Sequence, residues 1–135
     1  LAEVIKPKKG KTMYQNGYEQ YKMQSVNTMT HGEMLLLLYD ELLKRLTRAQ
    51  IALDDKNYDS FEKSVQRAKD IVRYLEQTLN MEYQISYELK RMYEFFQYEL
   101  SRLQAGRNVA VIQELKPLVA ELRDAFREAS KTAAV

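Results

Sequence analysis

A chain of 135 residues with 21 Lys and Arg against 19 Asp and Glu, one His and no Cys has the length of a single domain. Without cysteine it forms no disulfide and offers no thiolate to a metal. Its one histidine, His31, excludes a bundle di-iron centre, which needs a Glu-x-x-His from each of two helices.

The net charge of +2 is concentrated at one end. Residues 1–12 hold Lys6, Lys8, Lys9 and Lys11 against Glu3, a local +3 that leaves −1 for the rest. Residues 1–12 read as a disordered basic tail or an appended remnant, since Met13 is a candidate natural start. A nearly neutral body argues against a nucleic-acid partner. Residues 13–29 form a polar leader carrying Tyr14, Tyr18 and Tyr21. Spacings of four and three place these rings on one side of a helical turn, and they belong to no long apolar stripe. The leader is therefore expected to dock on the domain that follows, residues 30–130.

The first helix opens on Thr30 and Glu33, a T-x-x-E capping box, with Met29 and Met34 at hydrophobic-staple positions. Its inward stripe is Leu35, Leu38, Leu42, Leu46, Ala49 and Leu53, and Asp54-Asp55-Lys56-Asn57 ends it in a turn. The run from Met34 to Tyr39 is too apolar for one helix face. It is also far short of the ~20 residues of a membrane span. Leu36, Leu37, Tyr39 and Leu43 flank the stripe. Either a neighbouring helix buries them, or they line a groove.

The second helix is expected from near Asp59, with Glu62 completing another capping box. Phe61, Val65, Ala68, Val72, Leu75 and Leu79 form its stripe, widened by Ile71, Tyr74 and Thr78. These last three are candidates for the same groove. The third helix is read from about Glu82 to Gln104, with Ile85, Leu89, Met92, Phe96, Leu100 and Leu103 inward and Gly106 as its stop. Asn108 caps the fourth, whose stripe is Ile112, Leu115, Val119, Leu122 and Phe126. Pro117 lies inside it, and an interior proline predicts a kink or a break.

Four amphipathic helices with short connections predict an all-α fold. The expected form is an antiparallel four-helix bundle with a mobile N-terminal segment and a kinked or broken last helix. No nucleophile–base pair, phosphate loop or metal cluster is legible, so neither enzymatic activity nor a cofactor is expected. No segment has the basic-then-apolar layout of a secretory signal, and the protein is expected in the cytoplasm. The ten tyrosines and six methionines suit an adaptable protein-binding surface.

Several motifs, in order, resemble the FliS family of flagellar secretion chaperones. They are Tyr14-Gln15 and Tyr18, then Thr30-His31-Gly32-Glu33-Met34, then Leu38-Tyr39-Asp40. Downstream come Ala68-Lys69-Asp70-Ile71-Val72, Leu75, Thr78-Leu79-Asn80, Leu89, Met92-Tyr93 and Leu122-Arg123-Asp124-Ala125-Phe126. The likeness spans about Met13 to Glu128. His31 stands where that family often has proline, and Phe126 where it often has tryptophan. The resemblance implies a chaperone that binds the disordered C-terminal segment of flagellin in apolar grooves and prevents premature polymerisation. It also implies a leader that covers part of the client surface, and contact with the flagellar export gate. No nucleic acid and no stable membrane insertion are expected. An alternative from the apolar surface alone is a self-associating helical bundle adaptor with another protein partner.

Overall fold

The computed structural model describes residues 30–133, which form helices α1 (His31–Asp54), α2 (Tyr58–Gln77), α3 (Gln84–Gly106) and α4 (Val109–Ala133). Each helix packs against the next, and α4 closes the ring on α1, most extensively at α1–α2 and least at α3–α4. The three connections are only a few residues long, so successive helices run antiparallel.

The start of α1 follows the sequence signal. Thr30 Oγ1 accepts from Glu33 N at 3.1 Å, and Glu33 Oε1 accepts from Thr30 N at 3.3 Å, so two otherwise orphaned donors are satisfied. Its end is a Schellman motif: Asn57 N donates to Ala52 O and Lys56 N to Leu53 O, with Lys56 left-handed at φ 55°. That turn delivers Asn57, not Asp59, as the cap of α2. Asn57 Oδ1 accepts from Ser60 N at 3.1 Å, and the helix begins at Tyr58. The expected Asp59–Glu62 box is displaced because the Schellman turn completes before Asp59.

The buried stripe of α2 is the predicted one: Phe61, Val65, Ala68, Val72, Leu75 and Leu79. In α1 the fully buried positions are Leu35, Tyr39, Leu42, Leu46, Ala49 and Ala52, while Leu38 and Leu53 are only partly buried. Tyr39 is thus a core residue. Its hydroxyl meets that of Tyr93 at 2.5 Å, across the bundle from α1 to α3. Its ring centroid lies 5.6 Å from that of Phe126 on α4. One phenol therefore ties three helices together.

Helix α3 departs furthest from expectation. It starts at Gln84, and Ile85 is 44% exposed. The first inward position goes to Ser86, fully buried, whose hydroxyl donates to Asn80 O at 2.5 Å. This hydrogen bond turns the first helical residues so that the serine points inward and the isoleucine outward. Gly106 is the last helical residue rather than the stop. The left-handed position falls on Arg107, at φ 53°, with its guanidinium 4.0 Å from the Tyr58 ring centroid.

Helix α4 is capped by Asn108, whose Oδ1 accepts from Ala110 N at 2.9 Å. Its buried residues are Val111, Ile112, Leu115, Val119 and Phe126, and Leu122 packs on the core's edge. The helix continues through Pro117 without a break. Proline lacks the N–H that would reach Gln113 O, so the helix runs on with that one intrahelical hydrogen bond missing.

Candidate partner-binding site

Two ties define how α1 sits between its neighbours. Asp40 accepts from Arg123 of α4 at 3.2 Å. Leu43 and Gln50 line a cleft of about 380 Å³ with Gln113, Lys116, Pro117 and Ala120 of α4. On the opposite edge, Arg45 and Arg48 share a second cleft with residues of α2. Helical spacing of three and four assigns the remaining residues. Leu36 joins Asp40 and Leu43 on the α4 side. Leu38 and Glu41 join Arg45 and Arg48 on the α2 side. Leu37 falls between the two rows.

The seven groove candidates therefore do not make one groove. Leu36 and Leu43 are half-buried against the core at the α1–α4 seam. Ile71 and Tyr74 lie on the edge of α2 that faces α1, in register with the cleft residues Arg67 and Ser64. Partial burial raises the Tyr74 hydroxyl pKa above its ordinary value. Leu37 is half-buried and is not among the side chains packed on the core.

Two candidates are closed off. Tyr39 faces the core for the reason already given. Thr78 is buried, and its Oγ1 donates to Tyr74 O at 2.9 Å. The hydroxyl of a threonine at a helix end donates to the helix's own last carbonyls, so its one proton is used, and its burial keeps a partner away. The leader residues Tyr14, Tyr18 and Tyr21 lie outside the described residues.

What remains is apolar surface on both flanks of α1, with Leu37 on the ridge between them. A segment engaging both flanks crosses the outward ridge of α1, on which Leu37 is a half-buried apolar position. Among the described residues no helix is long and apolar enough to cross a membrane, and no group of His, Cys, Asp or Glu could hold a metal ion.

A further surface escaped the sequence reading. On α3, Tyr87, Phe95 and Tyr98 are 51%, 45% and 64% exposed. Their spacings of eight and three align them on the face opposite Leu89, Phe96 and Leu100. Arg91 lies between Tyr87 and Phe95, four residues from each. The signal was present, because the inward stripe of α3 leaves these aromatics on the wrong face for packing.

The family model for the flagellar protein FliS matches residues 14–133. The flagellar secretion chaperone FliS of Bacillus subtilis (strain 168) is 30% identical over 115 residues, which is 85% of this chain and 86% of that protein.

Proposed function

The chain belongs to the FliS family of flagellar secretion chaperones, and from that premise we propose that it holds the C-terminal segment of flagellin unassembled in the cytoplasm until export. The observation that carries this reading is the pair of apolar flanks on α1. Leu36 and Leu43, the latter beside Pro117 and Ala120, form one, and Ile71 and Tyr74 line the other.

A client segment laid along these flanks is bound in the helix-in-groove manner, with apolar anchors at helical spacing. Ordering such a segment costs about 2–5 kcal/mol, offset by burial on the order of 1,000–3,000 Å². While its apolar face is covered, the segment cannot pack against other flagellin copies. The cycle requires no nucleotide and no bond chemistry. Release is by handover to the export gate, and the leader competes with the client for part of the surface.

An equimolar amount of this protein is expected to suppress the light scattering of polymerising flagellin. A flagellin lacking its C-terminal segment should lose this protein in co-sedimentation. Unchanged polymerisation at a severalfold excess would sink the proposal. The aromatic stripe of α3 supports a second reading, self-association of the bundle through that face. A sedimentation coefficient that rises with concentration, and is levelled by Phe95→Glu, would mark it.

A further inference from the structure

The α1–α2 seam changes character along its length. Near the start of α1 it is apolar, with Leu38 facing the row of Ile71 and Tyr74. Towards the α1–α2 turn it opens into a cleft of about 480 Å³ lined by Arg45 and Arg48 of α1 and by Ser60, Lys63, Ser64, Gln66, Arg67 and Asp70 of α2. Four cations thus meet one carboxylate. That carboxylate is already engaged, since Asp70 takes Arg73 at 3.4 Å and Gln66 Nε2 at 3.0 Å. Arg45 is held by Glu41 at 3.6 Å. Arg48, Lys63 and Arg67 have no ion pair among the described residues.

The base of the cleft is polar too. Ser64 is 7% exposed and makes no hydrogen bond among the described residues. A buried serine in a helix ordinarily donates to the carbonyl four residues back. Here the hydroxyl stays available, and Ser60 lies one turn before it. Donors from two helices converge on a polar floor, and three of the four cations, Arg48, Lys63 and Arg67, have no counter-charge among the described residues. That combination fits an anion entering from outside.

We propose that this cleft docks an acidic segment of a partner polypeptide, whose Asp and Glu carboxylates bridge Arg48, Lys63 and Arg67 with a hydroxyl of Ser64 beneath. A polypeptide suits the site better than a nucleic acid. Single-stranded nucleic acids are held by aromatic stacking platforms beside their cations, and no aromatic side chain lines the cleft. A membrane surface is too flat to reach a floor recessed between two helices. Continuity with the apolar half of the seam gives the occupant a pattern: apolar anchors next to Leu38, Ile71 and Tyr74, followed by carboxylates towards the α1–α2 turn. This pattern rests on the client reading; the acidic recognition itself does not.

The test uses the full chain and a fluorescein-labelled decaglutamate peptide, followed by anisotropy at several salt concentrations. Saturable binding is expected, weakening as salt shortens the screening length from about 30 Å at 0.01 M to about 8 Å at 0.15 M. Arg48→Glu with Lys63→Glu should lower affinity at least about tenfold, because two attractions become repulsions. The neutral pair Arg48→Gln with Lys63→Gln should give a smaller loss in the same direction. Both sites are exposed and, among the described residues, unpaired, so circular dichroism should be unchanged. The control Lys90→Glu with Arg91→Glu on α3 should bind as the parent does.

Equal affinity in the parent and the cleft variants would overturn the proposal, since the lysines of residues 1–12 would then carry the binding. Tighter binding of an oligouridylate, lost in the same variants, would overturn it in favour of a nucleic-acid surface. Failure of the client reading would leave decaglutamate binding intact, so the two failures are distinguishable.

Discussion

Folding stability is expected to fall steeply above pH 10 and to do so through two residues, Tyr39 and Tyr93. Their hydroxyls are buried and bonded to each other at 2.5 Å. Burial raises the pKa of both, and for Tyr39 the neighbouring phenol raises it further. In the unfolded chain each phenol loses its proton near pH 10, whereas the folded chain retains both. Above pH 10 the native state therefore binds more protons than the unfolded state. The contribution is fully present below that pH and is lost as the pH climbs.

Two protons give a slope approaching about 2.7 kcal/mol per pH unit, against a total stability of roughly 5–15 kcal/mol for a domain. Urea midpoints at pH 9, 10 and 11 measure it. The double variant Tyr39→Phe with Tyr93→Phe should flatten most of the slope. A slope unchanged in that variant would place the alkaline sensitivity elsewhere. At neutral pH, Tyr39→Phe alone leaves a buried hydroxyl on Tyr93 without a partner and should cost about 1–3 kcal/mol. The double variant removes donor and acceptor together and should cost less than the sum of the singles.

The second large effect separates binding from folding at two positions of one helix with a single residue between them. Leu37→Asp is expected to weaken the flagellin segment about 10- to 100-fold, from loss of roughly 1.5–3 kcal/mol of leucine burial. Its effect on stability should stay under about 1 kcal/mol, because Leu37 lies between the two flanks and off the core. Tyr39→Asp, two positions on, puts an unpaired carboxylate against Tyr93 and Phe126 and should unfold the domain. Paired titration and urea curves for Leu37→Asp decide the matter. Parallel losses of affinity and stability would make Leu37 a packing residue.

The contrast between these neighbours shows where sequence reading reaches and where it stops. Local signals were legible. Thr30 with Glu33 started α1, Asn108 started α4, and the stripe of α2 was buried position for position, because caps and helical periodicity act within a few residues. The run Leu35-Leu36-Leu37-Leu38-Tyr39 offered several stripes of equal apolarity. The choice was made by a hydroxyl 54 residues away, on Tyr93. Ser86 displaced Ile85 through a similar contact that crosses a turn, its hydrogen bond to Asn80 O.

The candidate site was legible in part. Leu36, Leu43, Ile71 and Tyr74 are on the surface edges expected of them. Their division between two seams depends on how α1 is rotated between α2 and α4, which no single-helix pattern contains. The cationic cleft was hidden for the same reason. Arg45 and Arg48 on one helix, and Lys63 and Arg67 on the next, read separately as solvated faces, and only the antiparallel packing of α1 on α2 faces them across a gap.

The measurement that bears most directly on the chaperone reading is a calorimetric titration with the C-terminal segment of the same organism's flagellin, repeated at several temperatures with far-UV circular dichroism in parallel. Saturable binding, a gain of helix and a negative heat-capacity change are expected, the mark of apolar burial with coupled ordering. Absence of saturable binding, or binding with a heat-capacity change near zero, would contradict the chaperone reading.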